Sequence, residues 1–154
     1  MAGALRKLLS LSLAEHALLV RAAVALPLTR RSLRVRGFNA TARSLERLAR
    51  RRLALPLRGD DAARAAVTAR LVYAAGARFP FRANCLPKAL VLRTLLLRQR
   101  IAADLRIGVR IVDGRLEGHA WVEHRGAPLG QPPDVAQRFA PCPGDLATVG
   151  TWDR

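Results

Sequence analysis

The chain reads as an α+β protein: a helical, Arg-rich region over residues 1–77, then, over 78–154, a core in which a helix bearing Cys85 packs on an antiparallel β-meander. Three observations predict it. The run that opens at Cys85, CLPKALVLRTLLLRQR, is apolar around much of its circumference, the mark of a buried helix. Next, DLRIGVRIV and GRLEGHAWVEH alternate apolar and polar residues on either side of Asp113-Gly114, a strong two-residue hairpin signal. Upstream of both, apolar residues recur at threes and fours among arginines, which is helical spacing.

In chain order, Leu5, Leu8, Leu9 and Leu19 predict a first helix from about Leu5 to Leu28, ended by Pro27. A basic connector, TRRSLRVRGF, follows. Leu45, Leu48, Ala49 and Leu53 predict a second helix from Thr41 to about Leu53, stopped by Pro56. LRGDD is read as a turn, with Asp60 or Asp61 capping a third helix that runs to about Ala77. Pro87 suits the first turn of the next helix, where its missing N–H costs nothing, and this puts Cys85 close to the N-cap. In the meander, Leu105, Ile107, Val109 and Ile111 share one face of the outgoing strand. On the returning strand Gly118, Ala120 and Val122 face opposite to His119, Trp121 and Glu123. Arg125-Gly126 marks a second reversal into a short strand around Leu129.

With 154 residues there is room for one sizeable core but not two, and 51% hydrophobic residues argue against disorder. Basic residues outnumber acidic ones 27 to 11, for a net charge of +16, so the surface attracts anions without specifying which. Only 5% of residues are aromatic, few for stacking bases, and no known nucleic-acid motif appears. Glu15, His16 and Arg21 interrupt the N-terminal apolar stretch, which argues against both a secretory signal and a transmembrane segment. The expected location is the cytoplasm, where thiols stay reduced.

A thiol is a strong nucleophile only as thiolate, and a helix N-terminus stabilises that anion through its partial positive charge and free N–H groups. Cys85 is placed there, and the same N–H groups suit an oxyanion. Of the three histidines, His16, His119 and His124, the best placed as base is His119, mid-strand in a sheet expected to pack on the Cys85 helix and flanked by Gly118 and Ala120. A third group orients such an imidazole, and the candidates are Gln131 and Asp134. Asp134 is favoured because a carboxylate also stabilises the ring's cation. Cys142, between two prolines, is taken as incidental, and Cys85, His119 and Cys142 lack the paired close spacings of a zinc site.

NCLPKALVLRTLLLRQRIAADLRIGVR, GHAWVEHRG and PPDVAQRFAP together resemble the peptidase component of lasso peptide biosynthesis, the B protein in its stand-alone, transglutaminase-like form. The resemblance covers about Phe79 to Ala140. It implies a papain/transglutaminase-like core and a cofactor-free cysteine peptidase that removes the leader from a ribosomally made precursor. The implied partners are the lasso precursor peptide, a separate leader-recognition protein and the macrolactam-forming cyclase. The family's Cys-His-Asp triad carries over at Cys85 and His119; its acid falls near Gln131, with Asp134 three residues on. The Arg-rich half, with Arg30, Arg31, Arg34 and Arg36, is a candidate docking surface for partner or peptide. The alternatives are an acyl-transferring, transglutaminase-type enzyme on the same fold and a basic nucleic-acid-binding module.

Overall fold

A computed structural model describes residues 11–53, 57–78 and 84–142. Three helices, α1 (Leu13–Ala49), α2 (Asp61–Arg78) and α3 (Cys85–Arg98), precede strands β1 (Asp104–Val112), β2 (Arg115–His124) and β3 (Ala127–Pro128). A single-turn helix α4 (Val135–Arg138) and strand β4 (Ala140–Pro141) follow. The strands form one antiparallel sheet in the order β3-β2-β1-β4.

The N-terminal helices depart most from expectation. Leu11 and Ser12 are not helical, and α1 starts at Leu13 behind a capping box. The Ser12 side chain accepts from the Glu15 N–H, and the Glu15 carboxylate accepts from the Ser12 N–H. Residues 1–10, where the expected helix begins, lie outside the described residues. Pro27 does not end α1. The ring removes one hydrogen-bond donor, a defect that costs about 3 kcal/mol in a free helix. Leu18, Ala22, Leu26 and Thr29, all buried along one stripe, hold the helix against the core on both sides of it. The basic connector is therefore mostly helix. The actual break is Gly37, at φ 73° and ψ 177°, a conformation open essentially to glycine alone. The helical path resumes beyond it and ends at Ala49, short of the expected Leu53.

α2 begins as the LRGDD turn predicts, with the Asp60 carboxylate accepting from the Ala63 N–H at 2.8 Å, so Asp60 is the cap. Pro56 lies outside the described residues. α3 is the hub. Leu86, Ala89, Leu90, Val91, Leu92, Leu95 and Leu96 are all buried, against α1 and α2 on one side and β2 on the other. One cluster joins Leu18 and Ala22 of α1, Ala69 and Val72 of α2, Leu92 and Leu96 of α3 and Ala120 and Val122 of β2. The helical region and the sheet thus share a single core across residue 78.

β1 and β2 pair around Asp113-Gly114 with Ile107 opposite Ala120 and Gly108 opposite His119. The far face of the sheet carries a second, small cluster of Trp121, Val135 and Phe139, so β2 is buried on both faces from Ala120 onward. No helix among the described residues is long and apolar enough to cross a membrane.

Gly37→Ala is expected to destabilise the protein by about 1–3 kcal/mol, because alanine cannot hold that backbone conformation without strain. The measurement is a urea midpoint that falls with the slope unchanged; an unmoved midpoint would show that the kink contributes nothing.

Candidate active site

Asn84 is the N-cap of α3, with extended backbone at φ −62° and ψ 168°, so Cys85 is the first helical residue. Its N–H lacks an intrahelical acceptor by position. The sulfur is partly buried, and backbone N–H groups of two elements act on it: Leu86, in its own first turn, and Ala120, on β2. Burial alone pushes the Cys85 thiol up. The hydrogen bond with the His119 side chain, the Ala120 N–H, the positive charge of His119 and the Leu86 N–H outweigh burial, and the thiol titrates below its ordinary value.

His119 shifts the opposite way. Its hydrogen bond with Cys85 raises it more than burial lowers it; the Gln131 hydrogen bond and the negative charge of Cys85 add to the rise, while Arg110 opposes it. A thiol moved down beside an imidazole moved up favours the thiolate–imidazolium pair. The ring also stacks on Phe139, centroids 5.0 Å apart, and lies 6.0 Å from Trp121. Phe139 reaches this position because residue 108 is glycine. A Cβ there would sit 2.7 Å from the Phe139 Cβ and 3.0 Å from the Ala140 carbonyl oxygen.

The third group is where the structure corrects expectation. Nε2 of His119 is 3.1 Å from Oε1 of Gln131. Asp134 is exposed at the N-cap of α4, and its backbone carbonyl accepts from Gln137 and Arg138. The turn at Pro132 and Pro133 separates the two: Gln131 ends the segment that runs along β2, whereas Asp134 has already turned into α4. Gln131 in turn donates from Nε2 to the hydroxyl of Tyr73, at 2.9 Å.

Tyr73, on α2, is the residue that sequence reasoning missed. It is the chain's one tyrosine, in a stretch that otherwise reads as plain helix, and it meets Gln131 across 58 positions. Its phenol is raised, chiefly by burial; the Gln131 hydrogen bond opposes the rise and the negative charge at Cys85 adds to it. Gly130, at φ 63°, packs directly on the ring. Phe139 was likewise not anticipated.

The remaining candidates stand apart. The Nδ1 atoms of His16 and His124 are bound to the carbonyl oxygens of Ser12 and Ala102. Cys142 is a free thiol, as is Cys85, and its N–H bonds the Ile107 carbonyl as β4 ends. Among the described residues, no group of three or more His, Cys, Asp or Glu side chains is placed to hold a metal ion. A cleft of about 500 Å³ opens elsewhere, between α1 beyond its kink, α3 and the start of β1, with Arg43, Glu46, Arg93 and Arg106 among its lining residues. It contains none of the thiol site.

Residues 16–143 match the family model described as the transglutaminase-like superfamily. Comparison with curated proteins and with solved structures finds no match.

In an NMR titration His119 is expected to ionise above the ordinary imidazole range, and Cys85→Ala to bring it down, since the sulfur is the largest cause of the rise and burial remains. An identical titration in the variant would remove the sulfur as the cause.

Proposed function

Since the chain belongs to the transglutaminase-like superfamily, which includes cysteine peptidases and transglutaminases, we propose that it is a cysteine peptidase that removes the leader from a lasso peptide precursor. The observation that carries the enzymatic reading is the Cys85–His119 pair at the start of α3, its two groups shifted towards each other. The precursor is supported by the resemblance of NCLPKALVLRTLLLRQR, GHAWVEHRG and PPDVAQRFAP to the B proteins of lasso biosynthesis.

In this mechanism the Cys85 thiolate attacks the carbonyl carbon of the scissile peptide bond. The oxyanion forms beside the first turn of α3, where the Cys85 N–H is a donor. The imidazolium of His119 gives its proton to the departing amine, leaving a thioester between Cys85 and the leader's new C-terminus. Neutral His119 then takes a proton from water, the resulting hydroxide attacks the thioester, and collapse expels the Cys85 thiolate beside the imidazolium as the acid leaves, which restores the starting pair. Gln131 keeps Nε2–H of His119 bonded throughout, so the other nitrogen, Nδ1, exchanges the proton with the sulfur. An amide in this place orients the ring; the ring's cation is stabilised mainly by the thiolate itself. A separate leader-recognition protein presents the precursor, and a cyclase takes the freed core N-terminus. The Arg-rich face of α1 is where partner or peptide docks.

The pH dependence follows from the two shifts. The reactive pair needs Cys85 deprotonated and His119 protonated. The rate should therefore climb from the acid side as the thiol ionises, below its ordinary range, and fall on the alkaline side as His119 loses its proton, above the ordinary imidazole range.

Mixing the protein with a lasso precursor and its leader-binding partner, then weighing the products by mass spectrometry, tests the proposal. One cut at the leader–core junction is expected, with the mass of one water gained across the two products and the cut absent in Cys85→Ala and His119→Ala. Products joined through an added amine would indicate acyl transfer. Cleavage that survives both substitutions would sink the mechanism.

A further inference from the structure

Gln131 faces His119 with one end of its carboxamide and Tyr73 with the other, and the two ends have opposite chemistry. With Oε1 towards the ring, Nε2 of His119 must carry a proton, and Nδ1 is left to take one from the thiol. With the amide turned over, its NH₂ would donate to Nε2. The neutral ring's proton would then sit on Nδ1, and no base would face the sulfur. The orientation of one amide thus decides whether His119 can act on Cys85. Nothing within Gln131 chooses between the orientations.

We propose that Tyr73 is a positioning residue: by accepting a hydrogen bond from Nε2 of Gln131, its hydroxyl fixes the amide with Oε1 on His119 and so selects the ring tautomer that can accept the Cys85 proton. A phenol can also donate, so the selection needs a reason for the oxygen to act as acceptor here. The hydroxyl oxygen sits 2.9 Å from Nε2 of Gln131, and the negative charge of Cys85, which acts on the phenol, favours a hydroxyl hydrogen turned towards that charge, leaving the oxygen lone pairs for Gln131. The phenol is held in place from behind: Gly130 presents its bare Cα to the ring, where a Cβ would come within 2.6 Å of Cε2. Cys85, His119, Gln131 and Tyr73 therefore form a chain of polar groups in which each one's polarity sets the next.

The inference rests on reading Cys85 and His119 as a thiol–imidazole pair, but not on the identity of the substrate. Its test is alkylation of Cys85 by iodoacetamide across pH, in a Cys142→Ser background, beside NMR titration of His119. Tyr73→Phe keeps the ring and removes only the hydroxyl. It is expected to lower the alkylation rate at neutral pH about fivefold, the equivalent of one ordinary hydrogen bond, and to bring the His119 titration down. In Gln131→Glu the two ends of the side chain are the same, so there is no orientation to select. Adding Tyr73→Phe there should change the rate less than about twofold, within the range of additive behaviour. Equal losses in both backgrounds would mean that the Tyr73 hydroxyl acts independently of the amide's orientation and would overturn the proposal, as would an unchanged rate and titration in Tyr73→Phe alone. A wild-type profile identical to that of His119→Ala would instead overturn the thiol–imidazole pair itself.

Discussion

The seating of the α3 N-terminus against the backbone of β2 is the constraint on which the rest depends. It brings the Ala120 N–H to the Cys85 sulfur and puts His119, the preceding residue, within hydrogen-bonding reach of the same atom. Two elements far apart in sequence must be aligned closely for this. The alignment is set by burial: Leu92, Leu96 and Val91 of α3 and Val122 and Ala120 of β2 are almost completely removed from water. Each large apolar side chain so buried stabilises the fold by roughly 1.5–3 kcal/mol. A slip of one residue in β2 would exchange its faces, take Val122 out of the core it shares with α3 and carry His119 to the opposite side. The geometry of the thiol site is therefore protected by the same packing that folds the protein.

The far side of the sheet does different work. Trp121 donates from its indole N–H to Glu123 at 2.9 Å, and Glu123 pairs with Arg106 at the same distance. This satisfies a buried carboxylate and fixes the Trp121 ring beside Phe139. Phe139 then covers one face of the His119 ring. Arg110 lies over the other partner of that stack, 4.7 Å from the Phe139 centroid, while paired with Glu117. Its charge opposes protonation of His119, but less than the sulfur favours it. Gly108 is the point of tolerance that allows these rings to close over the strand.

The basic excess is spread over the helices and has a local cost. Arg98, at the end of α3, is lowered first by burial and then by the like charges of Arg21 and Arg51. It stays because its guanidinium caps the Arg51 carbonyl at 3.0 Å, and its own carbonyl accepts from Leu53 at 2.8 Å, tying the chain after α1 to the end of α3. A cation there also complements the negative end of the helix dipole. Solvent and salt screen the remaining repulsion among exposed arginines.

By itself the sequence determined the α+β class, the Cys85 helix and the Asp113-Gly114 hairpin, and it made Cys85 and His119 the candidate thiol and base. Each of these is written in local signals: an apolar run, an alternation of period two, a turn dipeptide, a cysteine at a helix start. Local signals also misled. Pro27 reads as a stop, but a stripe of buried residues on either side of it outweighs one lost hydrogen bond. Gly37 reads as part of a connector, though it is the kink in a longer helix. The choice between Gln131 and Asp134 rested on the chemistry of the side chains, and only the tertiary structure decided it, because the path of the chain along β2 determines which of them reaches Nε2. Tyr73 was invisible for the same reason. Its partner lies 58 residues away, and no pattern within a helix announces which distant amide its hydroxyl will meet.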